Sequence, residues 1–256
     1  VIVYTCQQRT AEWWEKRNGI PTASEFSRIL NPTACDPAWT CIGDNGQTCG
    51  VRHKSERAAK DCGRKNGLVP MPAPLEMADA ALNYACELVA DRIRGGPEDA
   101  AGYTSKDMDR GNFLEAEARN YFAMRTEREV QQVGFIKTDD GKFGLSPDGI
   151  LGELKGKSNG GFHCDQVEEG LELKCPSGKV HNRYLIDGIL PAEYAAQVHG
   201  ALAVTGARCW WFVSYCDGIR PLILKVEPND YTQALREILP KFDTMLTEVE
   251  AKIKGS

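Results

Sequence analysis

The sequence predicts an α/β fold, a central mixed β-sheet flanked by helices, and three observations carry that prediction. Apolar residues at helical spacing fill much of the first half and the end of the chain, strand-like alternation clusters between residues 130 and 226, and one Ala-rich helical segment interrupts those strands. The order helices, strands, helix, strands, helix calls for a sheet with helices packed around it. At 256 residues, 42% of them hydrophobic, the chain is long enough to bury a sizeable core and reads as a single domain over residues 1–256.

The elements follow in order. Residues 8–30 hold two short helical patterns separated by Gly19-Ile20-Pro21, with Thr22 or Ser24 placed to cap the second. Residues 31–74 are rich in Gly, Pro, Cys and charge and lack periodicity, so about 33–72 reads as a functional loop or a small stapled insertion. Leu75, Ala78, Leu82, Ala85, Val89 and Ile93 predict a helix over 75–94, closed by Gly95-Gly96. A second helix spans 112–125, with Phe113, Ala116, Tyr121 and Met124 as packing positions. Residues 130–137, 142–151 and 170–175 read as strands, the last two joined by a Gly-, Lys- and Glu-rich connection. Residues 191–205 form the Ala-rich helix, 208–215 and 220–226 a hairpin. A long helix starts near Asn229 with Leu235, Ile238, Leu239, Phe242, Leu246, Val249 and Ile253 as its stripe and a kink expected at Pro240.

Composition narrows the function. No apolar run approaches the ~20 residues needed to cross a bilayer and no secretion signal is evident, so no membrane association and a cytoplasmic location are expected. A net charge of −5 argues against bulk attraction to nucleic acid, so any DNA contact would be local.

Two short motifs carry chemistry. Residues 146–149 read SPDG and residues 170–176 read GLELKCP. Strand alternation sends Glu172 and Lys174 to one face, and Asp148 reaches the same face if the two strands pair. Carboxylates there would gather one or two hard divalent cations, and the ammonium would sit beside an attacking water, the set that phosphodiester hydrolysis needs. Each residue alone has a plainer reading. Pro-Asp-Gly is a common turn triplet, and Glu172 with Lys174 would serve as a surface charge ladder. Glu115, in RGNFLEAEARNYF, would be a solvated helix residue unless the strand pair needs a third carboxylate. The Leu173 carbonyl, between the two motif side chains, offers a further oxygen.

Five blocks in order resemble the phage lambda exonuclease family, the YqaJ-type viral recombinase branch of the PD-(D/E)xK nuclease superfamily. They are EWWEKRNGIPTASEF at 12–26, RGNFLEAEARNYF at 110–122, SPDG, GLELKCP, and EYAAQVHGALAVTGARCWWFVSY at 193–215. The resemblance implies a restriction-endonuclease-like core and magnesium-dependent 5′→3′ digestion of one strand of duplex DNA from its ends, with manganese as a substitute metal. The products would be mononucleotides and 3′ single-stranded tails for strand annealing. It further implies a homotrimeric ring, a phage single-strand annealing protein as partner, and a phage or prophage gene acting in a bacterial cytoplasm. Position by position, Glu115, Asp148, Glu172 and the Leu173 carbonyl match metal ligands, and Lys174 the lysine that orients or activates water. Gln197 and Tyr194 match the glutamine helix bordering the site, and Arg17, Ser24 and Ser146 a pocket for a 5′-phosphate. A guanidinium that forks onto phosphate oxygens suits that pocket, although Arg17 also reads as a solvated helix charge and Ser24 as a cap. Two loops depart from the family, the connection from SPDG to GLELKCP and the stretch at about 33–72, both longer here.

Of the ten cysteines, Cys6, Cys86, Cys164, Cys175, Cys209 and Cys216 are scattered and read as reduced thiols. Cys35, Cys41, Cys49 and Cys62 cluster with His53 in the insertion. Free thiols on a plain loop are the first reading, since paired-cysteine knuckles are absent; zinc comes second, and disulfides last in a reducing compartment. Trp39, Arg52, Lys54, Arg57, Lys60, Arg64 and Lys65 would suit phosphate contacts or a protein partner. The rivals to an exonuclease are a structure-specific endonuclease or repair nuclease of the same fold, and a non-catalytic DNA-end-binding scaffold.

Overall fold

Alternation along residues 169–226 builds the sheet on which the site rests. The computed structural model of the chain describes residues 1–30, 39–44, 46–51, 53–73, 75–96, 106–152, 162–163 and 167–255, without side chains over 106–113 and 162–163. The described elements are β1 (Ile2–Tyr4), α1 (Ala11–Arg17), a 3-10 segment (Ala23–Arg28), β2 (Trp39–Ile42), α2 (Glu56–Asn66), β3 (Val69–Pro72), α3 (Ala81–Arg94), α4 (Lys106–Thr126), β4 (Val130–Gln131), β5 (Phe135–Lys137), β6 (Gly144–Leu145), β7 (Gly149–Leu151), β8 (Phe162–His163), β9 (Glu169–Lys174), α5 (Gly178–Asp187), α6 (Ala192–Thr205), β10 (Cys209–Cys216), β11 (Ile219–Val226) and α7 (Asp230–Lys254).

The main sheet has strand order β11-β10-β9-β7-β4. It is mixed, as expected: β9 and β10 run parallel while the other neighbours are antiparallel. A second, antiparallel sheet has order β6-β5-β1-β8. The expected strand over 130–137 is therefore two strands in different sheets, and so is the one over 142–151. Apolar pattern marks a strand but not its partner, and short strands at a change of sheet merge in the sequence.

Each face of the main sheet has its own packing. On one side, Leu171, Leu173 and Val213 meet Ala118 and Phe122 of α4. On the other, Trp210 and Phe212 join Val198 and Leu202 of α6, Phe26 of the 3-10 segment, Val89 of α3, and Leu235 and Phe242 of α7. Glycine lets α6 approach the 3-10 segment: a Cβ on Gly200 would lie 2.6 Å from Phe26 and 3.1 Å from Ala23. That contact sets the distance between two halves of the site described below.

Two helix faces differ from expectation. On α3 the buried residues are Ala81, Tyr84, Ala85, Leu88 and Val89, whereas Leu82 and Ile93 are exposed. On α4, Leu114, Ala118 and Phe122 are buried while Ala116 and Met124 face solvent, and the Phe113 side chain lies outside the described residues. Both sequences carry apolar residues at more than one helical phase, and tertiary packing picks the phase. α7 begins with a capping box between Asn229 and Thr232 and continues as one helix through Pro240. The 3-10 segment starts at Thr22, whose hydroxyl meets that of Ser24 at 3.3 Å instead of capping the backbone.

A buried carboxylate paired with two partly exposed arginines anchors the far end of β9. The Glu169 carboxylate accepts from the Trp211 indole at 2.6 Å and pairs with Arg128 and Arg208. Burial opposes the charge, but Trp211, Arg208 and Arg128 outweigh it and hold the carboxyl down at about 2. A folded value below the unfolded one means stability that is present above about pH 4 and is lost as pH falls through the folded value. Glu169→Gln is expected to cost about 2–3 kcal/mol near neutrality. Denaturant titrations should show the gap from wild type closing between about pH 4 and pH 2; a gap independent of pH would exclude the charge as its source.

Candidate active site

Strand pairing puts Asp148 beside β9. β7 pairs with β9 only as far as Gly149 opposite Leu171. One residue earlier, the Asp148 N–H donates to the Leu171 carbonyl at 3.1 Å. The Leu173 N–H then donates to Asp148 Oδ2 at 2.6 Å. A side chain thus replaces a strand at the point where β9 would otherwise show a bare edge, and this fixes the carboxylate against the strand carrying Glu172 and Lys174.

Glu172 and Lys174 share a face, as alternation predicts. Lys174 Nζ lies 2.6 Å from Glu172 Oε1, which also accepts from Gln197 Nε2 at 2.7 Å. Glu172 is only 4% exposed, so it is not part of a surface ladder. The Lys174 ammonium sits 5.0 Å from the centre of the Tyr194 ring, which packs on Phe212. Burial, then the Glu172 charge, raises the Asp148 carboxyl well above its ordinary range. Burial raises Glu172 too, against the pull of Lys174. Burial opposes the charge on Lys174, but Glu172 and Asp148 raise its pKa above the ordinary value.

Glu115 joins this cluster through its field, not through a hydrogen bond. It raises both Asp148 and Glu172, while its own carboxylate pairs with Arg119 one turn on. Arg119 Nε also donates to the Asp148 carbonyl at 3.0 Å, tying α4 to the SPDG turn. Sequence reasoning missed Arg119; its position four residues after Glu115 was the available signal.

The residues matched to a phosphate pocket converge. Arg17, Thr22, Ser24, Ser146, Glu172 and Gln197 line one small cavity. The Arg17 guanidinium stacks 4.4 Å from the Trp13 ring centre and reaches Thr22 Oγ1 at 3.5 Å. Among the described residues no carboxylate pairs with Arg17. Burial lowers its pKa from the ordinary guanidinium value. The Trp13 indole donates to Ser146 Oγ and to the Gly134 carbonyl, both at 2.9 Å. Gln8 Nε2 donates to the Pro147 carbonyl at 2.8 Å. Trp13 and Gln8 hold the SPDG turn, and nothing in their local sequence announces it.

The insertion is not a plain loop. β2 and β3 pair antiparallel, and α2 packs on both. α2 buries only Ala59 and Gly63, too little apolar pattern to be read from the sequence. Cys41, Cys49, His53 and Cys62 come together, whereas Cys35, Arg52 and Cys164 lie outside the described residues.

Mixed sheet, flanking helices and an Asp–Glu–Lys cluster centred on the buried Glu172 define a class of α/β protein with a polar site at the edge of paired strands. The chain belongs to the YqaJ-like viral recombinase domain family, whose model matches residues 75–208. Among curated proteins, none matches the chain. Solved structures with a similar fold include an alkaline exonuclease from Laribacter hongkongensis, at 24% identity and TM-score 0.62, over 96% of this chain and 95% of that one. The same enzyme in complex with dAMP aligns at 25% identity, TM-score 0.62 and the same coverage. A phage-related exonuclease from Haemophilus somnus aligns at 10% identity and TM-score 0.51, over 91% of this chain and 96% of that one. No helix among the described residues is long and apolar enough to cross a membrane.

Proposed function

We propose that this protein is a metal-dependent 5′→3′ exonuclease that digests one strand of linear duplex DNA and leaves 3′ single-stranded tails for recombination by strand annealing. One observation carries the reading: Glu172, held by Lys174 and Gln197 on the strand that Asp148 grips, lines the same cavity as Arg17, Ser24 and Ser146. Family membership and the exonuclease folds it resembles support it.

The donor set suits a hard divalent cation. Glu115, Asp148, Glu172 and the Leu173 carbonyl offer only oxygen, and carboxylates crowded around the buried Glu172 are what such an ion would relieve. When bound, magnesium, or manganese in its place, would lower the pKa of a water and offset charge on the phosphate. The chain's own residues do the rest. Gln197 fixes one Glu172 oxygen, so the carboxylate keeps its orientation. Lys174, held between Glu172 and the Tyr194 ring, donates to the attacking water and steadies the charge that grows on the phosphoryl oxygens. Arg17 forks onto a terminal 5′-phosphate with Ser24 and Ser146 completing its shell. Holding that phosphate a fixed distance from Lys174 sets cleavage at the bond that releases a mononucleotide.

The same reading makes the chain one nuclease domain over residues 1–256 with an insertion at about 33–72. It makes the working form a homotrimeric ring on DNA, encoded by a phage or prophage, acting in the bacterial cytoplasm beside a single-strand annealing protein. The test uses one duplex in two forms. Linear DNA labelled at its 5′ ends should lose label as mononucleotide with magnesium and keep it with chelator, while the covalently closed circle stays intact. Cutting of the closed circle would replace the exonuclease with an endonuclease of the same fold, and metal-independent binding without cutting would leave a scaffold.

A further inference from the structure

The β2–α2–β3 unit has too little apolar material to hold itself. Its buried side chains include Cys41, Ala59 and Thr40, and its elements pack chiefly on one another among the described residues. Where a small unit lacks a core, a staple commonly supplies what burial does not.

The thiols of Cys41, Cys49 and Cys62 and a ring nitrogen of His53 all lie within 4.8 Å of one another. Ligands of a tetrahedral zinc, with bonds of about 2.0–2.3 Å, sit roughly 3.5–3.8 Å apart. Cys49 Sγ and His53 Nε2 are already 3.5 Å apart. Four different pieces of backbone contribute. Cys41 comes from β2, Cys49 from the bend after it, His53 from the bridge that pairs with Trp39, and Cys62 from α2. Backbone geometry sets up the bend: Cys49 N–H donates to the Cys41 carbonyl at 2.9 Å, and Gly50 follows with a φ of +69°. We propose that Cys41, Cys49, His53 and Cys62 bind a structural zinc ion that staples β2, α2 and β3 into one unit.

The donor set decides the metal. Three sulfurs and one imidazole suit zinc and reject magnesium, so this site and the carboxylate cluster would not compete for one ion. With four protein ligands the coordination shell is closed, which marks a structural and not a catalytic centre. The three thiols crowd one another, and a divalent cation at their centre would turn that crowding into attraction.

Protein purified without chelator, or depleted and then given zinc alone, should carry about one zinc per chain by elemental analysis. Cobalt substituted for zinc should show thiolate-to-metal charge transfer in the near ultraviolet and tetrahedral bands in the visible. The Cys49→Ser, Cys62→Ser double variant should lose the zinc, and His53→Cys, which keeps four soft ligands, should retain it. Zinc should also protect residues 39–72 from limited proteolysis. Zinc well below one per chain, zinc that survives the double variant, or cobalt spectra without thiolate bands would each overturn the proposal. The spectra need no variant, so a double variant that fails to fold does not shelter it.

Discussion

Lys174→Ala is expected to slow digestion of linear duplex DNA on the order of 10²–10³-fold or more with magnesium present, while the protein still folds and still retains DNA. The ammonium lies between the Glu172 carboxylate and the face of the Tyr194 ring, so its loss removes chiefly a charge. Asp148→Asn and Glu172→Gln should be as severe, and they differ from Lys174→Ala in weakening metal affinity. Asn at 148 keeps an oxygen for the Leu173 N–H, so it tests charge without freeing the strand. It also relieves the like-charge crowding that raises the Asp148 carboxyl. Its thermal midpoint without metal should therefore be unchanged or higher than that of wild type, a trade of stability for function. Single-turnover rates near wild type in any of the three, with folding verified, would remove the cluster from the chemistry.

The second large effect concerns DNA ends. Linear duplex with a 5′-phosphate should be degraded about ten- to a hundredfold faster than the same duplex with a 5′-hydroxyl, the range that one charged hydrogen-bonded pair supplies. Arg17→Ala should bring that ratio close to one. Arg17→Lys should restore part of it, since an ammonium keeps the charge but not the fork. The guanidinium also stacks on Trp13 and Trp14, so the variant's melting curve belongs beside its kinetics. A wild-type enzyme indifferent to the end group would leave the cavity without this role.

The carboxylate half of the site was legible because it obeys the shortest rule in the sequence. Leu171 and Leu173 are buried against α4, so Glu172 and Lys174 must share the opposite face. Gln197 and Tyr194 followed from family resemblance, and α6 carries both to that face. Gln8, the Trp13–Ser146 bond and the reach of Arg119 to the Asp148 carbonyl were illegible, since they act between elements whose neighbourhood only the folded chain defines. Sheet membership was hidden for the same reason: Val130 and Phe135 lie five positions apart yet belong to different sheets. In the insertion, the cysteines were visible but their meeting was not. Cys41 lies on β2 and Cys62 on α2, short elements that carry little apolar signal.

The bond from Trp13 to Ser146 crosses 133 residues, and that from Gln8 to Pro147 crosses 139. On a ribosome adding about 5–20 residues per second, the segment with Arg17 therefore waits on the order of ten seconds for the turn it grips, and longer for Glu172 and Gln197. No nascent fragment that stops short of Lys174 holds both the proposed end-binding groups and the proposed cutting groups. Synthesis therefore keeps the proposed site unassembled until α6, with Gln197, has left the tunnel.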